Sequence, residues 1–312
     1  MKTVLITGSN GFVGHYLAEE FLRDHSVICV VRPGTTNMAR LQHIANAVEV
    51  IEHDIKNSCV GLPAADIILH AGANPSAADS LSDPTATVMD NVVGTLNLLE
   101  YARHNRVERF VYYSSGEVFG PVAVGQDSQP DDAYHSRSPY AASKAAGEEL
   151  CVSYSNSFGI PVSIIHINNT FGPRCQSNRL PVIIIRQLLA GQPLSLHVGE
   201  DGVIGGRRWL YAGDVASHTR FILQVQSVLC EKWNSAGSRF INNLEFAQKI
   251  AGLMDLELLY KLVPIDRAGH DLCYSIDPSK LYDLGWQEPA AIDQRLAHTI
   301  QWYRDNPEWL YR

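Results

Sequence analysis

Tyr140 and Lys144 stand four residues apart in Tyr140-Ala141-Ala142-Ser143-Lys144, inside a stretch that reads as a helix over 139–157. That spacing puts both side chains on one helical face, a single turn from each other. A phenol with a pKa of about 10 is a poor base at neutral pH. A neighbouring ammonium and a positively charged nicotinamide ring would both favour its phenolate. The pair therefore suits removal of a hydroxyl proton while a hydride leaves the same carbon. Upstream, Ser114-Ser115-Gly116-Glu117 directly follows the apolar run at 109–113. Ligands of open parallel sheets lie beyond the carboxyl ends of the strands, so Ser115 and Glu117 fall where a substrate would sit.

These residues need a frame that brings strand ends and helix starts together. Over the first half of the chain, short β-branched runs at 2–7, 26–31, 48–51, 66–70, 109–113 and 161–166 alternate with amphipathic stretches at 12–24, 85–104 and 139–157. Such alternation predicts an α/β fold, a Rossmann-type doubly wound parallel sheet wrapped by helices. After about residue 167 the pattern becomes irregular and rich in Pro, Gly and Arg. The expectation is a smaller, interleaved C-terminal substrate lobe. The dinucleotide-binding part is expected over 1–167 with about 211–238, and the substrate lobe over about 168–210 and 239–312.

Thr7-Gly8-Ser9-Asn10-Gly11-Phe12-Val13-Gly14 joins the first strand to the first helix. Glycines there allow a tight turn and a close approach to a pyrophosphate, which rests on the amides and positive end of the helix. A glycine triplet alone is weak, and its strand–turn–helix setting gives it weight. Gly8, Asn10, Gly11, Phe12, Val13 and Gly14 are therefore expected to bind NAD(P). An NAD site usually carries an acid roughly 20 residues past the glycines. This chain instead reads Val30-Val31-Arg32-Pro33, with no acid between 25 and 48. Arg32 would favour the extra phosphate of NADP, although an NAD site can manage without that acid. Asp54, in His53-Asp54-Ile55, is a plausible adenine contact.

Composition narrows the field further. A net charge of -8 argues against a nucleic-acid or anionic-membrane binder, which would want a basic surface. No apolar run approaches the roughly 18 residues of a membrane span. The start runs straight into a strand without a cleavable-signal pattern. The six cysteines have no metal-like spacing and read as reduced thiols of a cytoplasmic protein, and the 12 dispersed histidines predict no metal.

The glycine turn, the Ser-then-Tyr-x-x-x-Lys order, His70-Ala71-Gly72-Ala73 and Asn91-Val92-Val93-Gly94-Thr95 resemble the extended short-chain dehydrogenases/reductases, the NAD-dependent epimerase/dehydratase family. The likeness covers essentially the whole chain. It includes Asn169-Thr170-Phe171-Gly172-Pro173-Arg174, Arg207-Arg208-Trp209-Leu210-Tyr211 and Asp266-Arg267-Ala268-Gly269-His270-Asp271. It is closest to dTDP-glucose 4,6-dehydratase-like nucleotide-sugar enzymes. The resemblance implies that Tyr140 is the base for hydride transfer, Lys144 holds the nicotinamide ribose, and Ser115 bonds the sugar oxygen. It adds Ile55 and Ala71 to the cofactor contacts. Asn169, Arg207, Asn243 and Arg267 would grip the sugar and diphosphate. It also implies a homodimer that pairs the helices at 85–104 and 139–157, and a nucleotide-diphosphate sugar as substrate.

Departures from the family pattern sharpen the question of the reaction. The dehydratases carry Thr-Asp-Glu where this chain has Ser115-Gly116-Glu117, so the acid is missing and the base is present. Phe119 replaces a Tyr, and His166 stands where an Arg commonly precedes the Asn-x-Phe-Gly-Pro run. The leading expectation is a 4,6-dehydratase that oxidises the sugar transiently at carbon 4 and uses Glu117 as its single acid/base. The alternatives are a 4-epimerase, a uronate decarboxylase and, remotely, a non-catalytic NADP-sensing protein.

Overall fold

The computed structural model describes residues 1–35, 38–199, 202–264 and 273–312. Six strands follow the expected order: β1 (Thr3–Thr7), β2 (Ser26–Val31), β3 (Glu49–Glu52), β4 (Ile67–His70), β5 (Arg109–Ser115) and β6 (Val162–Ile167). A seventh, Cys230–Ser235, adds to the outer side of β6, pairing Cys230 with Val162 and Ser235 with Ile167. All seven run parallel, in the spatial order Cys230–Ser235, β6, β5, β4, β1, β2, β3. Strand order reverses at β1, the kind of switch point where α/β sheets open a ligand crevice. The doubly wound fold expected from the alternation is the fold observed.

The strands read as continuous apolar runs because both sheet faces are covered. In β1, Val4 and Ile6 enter one core cluster while Leu5 enters the other. In β2, Val27, Cys29 and Val31 face the first cluster, and Ile28 and Val30 the second. Val4, Leu5 and Ile6 are wholly buried, each contributing about 1.5–3 kcal/mol of transfer free energy.

Two expectations are corrected here. Cys230–Ser235 was not among the strands expected from apolar runs, because it spells Cys-Glu-Lys-Trp-Asn-Ser. As an edge strand it pairs with only one neighbour; Glu231 and Lys232 stay half-buried, while the buried Asn234 and Ser235 are hydrogen-bonded to Ser128 and His218. The single helix expected over 85–104 is instead broken into Pro84–Val88, a π-helical turn at Met89–Val93, and Gly94–Asn105. A helix with one wide turn keeps the same apolar periodicity on either side, so the sequence pattern does not reveal the break.

Beyond β6 lie the helices Leu180–Leu189, Ala212–Val225, Asn243–Met254 and Ile292–Asp305. Leu194–Val198 and Tyr260–Pro264 form a separate parallel pair. Among the described residues no helix is long and apolar enough to cross a membrane. All six cysteines are free thiols, and five are buried.

Candidate active site

The carboxyl ends of the central strands open on one cavity of about 670 Å³. At one end sits the glycine turn. Gly8 has φ +66°, and a Cβ there would fall 2.7 Å from Gly72 Cα. A Cβ on Gly14 would lie 2.1 Å from the Gly8 carbonyl oxygen, so neither position admits a side chain without moving the backbone. The helix Phe12–Phe21 starts at Gly11 with no side chain capping its amides. Gly11, Phe12, Val13 and Gly14 line the cavity; the Gly11 amide donates to the Gly8 carbonyl, and the helix start beyond it, uncapped by any side chain, suits an anionic group. The cradle therefore fits the pyrophosphate of NAD(P).

His70 supports this turn from below. Its Nδ1 is 2.8 Å from Thr7 Oγ1 and its Nε2 is 3.0 Å from Thr95 Oγ1. Thr95 spends its proton on the Asn91 carbonyl and the Gly72 amide donates to Thr7 Oγ1, so the ring donates through Nε2 and accepts at Nδ1. Burial pushes its pKa down to about 3, and the imidazole stays neutral.

Asn10, Asp54, Ile55, Ala71 and Arg32 all line the cavity, as the sequence led us to expect. Asn10 donates to Thr35 Oγ1 over 3.2 Å. Asp54 is held below the usual carboxylate range: burial opposes this, but a Lys56 amide bond and the Lys56 charge outweigh it. Arg32 has a partner the sequence did not disclose, since its guanidinium lies 2.9 Å from Asp90 Oδ2.

Tyr140 and Lys144 lie on the helix Pro139–Phe158. Ser138 caps that helix by accepting from the Ala141 amide, and Pro139 occupies its first turn. Tyr140, Lys144, Ser115 and Glu117 all line the cavity. Burial, and then the Glu117 carboxylate, push the Tyr140 phenol above its ordinary pKa, while a hydrogen bond with Ser115 pulls the other way. The expected lowering by Lys144 does not emerge; desolvation dominates. Burial takes Lys144 down to about 8 against the opposing charge of Glu148. Its ammonium rests 4.1 Å over the Tyr112 ring, and Tyr112 donates to the Lys144 carbonyl. That contact needs Gly147, where a Cβ would meet the Tyr112 hydroxyl at 2.2 Å. Ser115 Oγ accepts from the Glu117 amide, turning the chain so that Glu117 joins the cavity wall.

Toward the substrate end, Asn169 lines the cavity and accepts a hydrogen bond from Tyr274. Arg207 and Asn243 do not line it. Arg207 is buried behind Tyr274, its guanidinium 4.0 Å over that ring. Asn243 opens the helix Asn243–Met254, its amide bonded to the Gly205 carbonyl. Arg267 lies outside the described residues.

Several cavity residues escaped the sequence reading. Asp90, Tyr274 and Arg179 line the wall, and none belongs to a local pattern that marks it; Trp209 lines it too and lies in the Arg207–Tyr211 motif, but was not singled out. Glu148, wholly buried one turn beyond Lys144, accepts from Ser114, from the Tyr134 hydroxyl at 2.6 Å and from His166 Nε2 at 3.0 Å. The substitution of His166 for the usual Arg was the available signal, because an unusual residue in a motif must still meet the partner of the usual one.

Residues 4–234 match the profile of the NAD dependent epimerase/dehydratase family. The dTDP-glucose 4,6-dehydratase of Xanthomonas campestris pv. campestris is 29% identical, the alignment spanning 99% of this chain and 95% of that protein. That of Haemophilus influenzae is 28% identical over 98% of this chain and 99% of its own. The crystal structure of a dTDP-glucose 4,6-dehydratase from Streptomyces venezuelae with NAD bound superposes with a TM-score of 0.88 at 27% identity, covering 98% of each chain. The UDP-glucose 4-epimerase of Thermus thermophilus in complex with NAD superposes at 0.86 with 26% identity, over 97% of this chain and 99% of that one. With the profile running from β1 to the seventh strand of the sheet, the chain belongs to the NAD dependent epimerase/dehydratase family.

Proposed function

We propose that this protein is an NAD(P)-dependent nucleotide-sugar 4,6-dehydratase working with a single acid/base, Glu117. The observation that carries the reading is the Glu117 carboxylate on the same cavity wall as Tyr140, close enough to shift that phenol. Its full-length relatives named as dTDP-glucose 4,6-dehydratases support it. The missing second acid also has a physical counterpart. A Cβ on Gly116 would sit 3.1 Å from Ile276 Cγ2 and 3.5 Å from the Tyr274 ring, so an Asp there would require Ile276 to give way by a few tenths of an ångström.

NAD, when bound, would supply the hydride acceptor for sugar carbon 4 and the hydride donor for carbon 6, and its positive charge would favour the Tyr140 phenolate. Tyr140 takes the proton of the 4-hydroxyl, with Ser115 bonded to the same oxygen and Lys144 holding the nicotinamide ribose. The resulting ketone acidifies carbon 5. Glu117 removes that proton and delivers it to the departing 6-hydroxyl, so one water leaves; as the hydride goes to carbon 6, a solvent-derived proton returns to carbon 5 through Glu117, and the proton held by Tyr140 is released to solvent. Asn169 and Arg267 are assigned to the sugar and diphosphate, while Arg207 and Asn243, which do not line the cavity, are left to positioning, Arg207 from behind Tyr274. Arginine suits this role because its planar fork makes paired, charge-assisted bonds to phosphate.

The reading divides the chain into a dinucleotide-binding part, 1–167 with about 211–238, and a substrate part, about 168–210 with 239–312. The six free thiols suit a reducing, cytoplasmic setting. We also read it as a homodimer. Leu81, Val88 and Met89 expose apolar surface beside the helix Pro139–Phe158, and a second copy would cover it. A stable monomer by sedimentation at micromolar concentration would contradict that assembly.

The decisive experiment follows product mass in heavy water with dTDP- and UDP-glucose. A dehydratase yields a product lighter by one water, with deuterium at carbon 5. Glu117→Gln should then stop after the first hydride transfer and accumulate reduced cofactor. Product of unchanged mass, with Glu117→Gln still active, would overturn the reading in favour of a 4-epimerase. Release of carbon dioxide from a uronic acid alone would point to a decarboxylase.

A further inference from the structure

NAD and NADP differ by a single phosphate on the adenosine ribose, and the groups beyond β2 meet that end of a dinucleotide. Here the groups form a compensated cluster. Arg32, at the end of β2, lies 2.9 Å from Asp90 Oδ2. Lys56 Nζ stands 3.7 Å from Asp90 Oδ1 and 3.4 Å from Asp54 Oδ2. Two cations thus share two carboxylates, and Arg32, Asp54 and Asp90 all line the cavity.

Asp90 reaches this place because of the π-helical turn Met89–Val93, which interrupts the helical run just before Gly94. Such turns often mark functional positions, because the extra residue re-aims a side chain. The turn is pinned by its next residue: Asn91 accepts from the Asn74 amide and donates to Ser143 Oγ on the catalytic helix. Asp90 itself is 6% exposed, so its carboxylate is buried and needs its cations.

A 2′-phosphate carries a charge of roughly −1.5 to −2 near pH 7. To bind here it would approach two carboxylates and draw Arg32 away from Asp90, leaving a buried carboxylate with Lys56 alone. A 2′-hydroxyl meets no such cost and can donate to a carboxylate oxygen. We propose that Asp90 sets the dinucleotide choice, holding Arg32 so that the site takes NAD in preference to NADP. This reverses the preference that Arg32 suggested in the sequence, and it rests on the reading of the cavity as a dinucleotide site.

The test is a binding titration of the full-length, cofactor-stripped enzyme with NADH and NADPH, read by cofactor fluorescence and independent of turnover. The wild type should bind NADH about tenfold or more tightly than NADPH. The isosteric Asp90→Asn should narrow or invert that ratio by tenfold, mainly through tighter NADPH binding, because Arg32 is released. Adding Arg32→Ala to Asp90→Asn should abolish the gain. Preference of the wild type for NADPH, or an unchanged ratio in an Asp90→Asn protein that melts like wild type, would overturn the inference while leaving the dinucleotide site intact. Binding of neither dinucleotide would remove the site itself, and the inference with it.

Discussion

Acidification from about pH 7 to about pH 5 should destabilise this protein well before most of its carboxylates protonate. His15, His70 and His218 are buried, and desolvation pushes each down to about 3 from an ordinary value of 6.5. In the unfolded chain all three take up protons as the pH falls through 6.5; in the folded chain they do not until about 3. Between those values the unfolded state binds three more protons, so stability falls with falling pH by roughly 4 kcal/mol per unit. Asp214 works in the opposite direction. Burial raises it to about 6, so the folded state takes up one proton between that value and 3.8, offsetting one histidine. Down to about pH 5 the net loss is roughly 5 kcal/mol, comparable with the whole stability of many domains. Urea unfolding at a series of pH values would measure it, and His218→Gln should remove about a third of the histidine contribution. A denaturation midpoint that stays level between about pH 7 and pH 5, or no proton uptake on unfolding near pH 5.5, would refute the reasoning.

Tyr140→Phe should lower turnover by about a hundredfold or more while dinucleotide fluorescence still titrates, and near-wild-type turnover in a folded variant would remove Tyr140 as the base. Gly14→Ala forces a Cβ to 2.1 Å from the Gly8 carbonyl, so dinucleotide affinity should drop at least tenfold by the same titration; unchanged affinity would mean the cradle does not hold the pyrophosphate. Glu148→Gln turns a buried acceptor of bonds from Ser114, Tyr134 and His166 into an amide whose NH2 must face one of those donors, and each buried polar group left unsatisfied costs about 1–3 kcal/mol. A thermal midpoint within about 1 °C of wild type would show that the network carries little stability.

Much of this site was legible because its parts are local. Tyr140 and Lys144 meet through the pitch of one helix, and the Gly8–Gly14 turn follows from a strand running into a helix. The apolar runs of β1 and β2 announce a sheet covered on both faces without reference to any other segment. The seventh strand was hidden because an edge position asks for little apolar character, and Cys230–Ser235 has little.

The sequence by itself determined the sheet, the glycine turn and the juxtaposition of Tyr140 with Lys144, since helix pitch, strand alternation and glycine stereochemistry act over a few neighbouring residues. Only the tertiary structure decided what faces those groups. Asp90 meets Arg32 across 58 positions of chain, His166 meets Glu148 through the packing of β6 on the catalytic helix, and Tyr274 comes between Arg207 and the cavity. Each of these contacts joins residues with no local pattern between them. Yet they set the charge beside the end of β2, the support beneath Ser114 and the wall of the cavity, because electrostatics and packing act through space rather than along the chain.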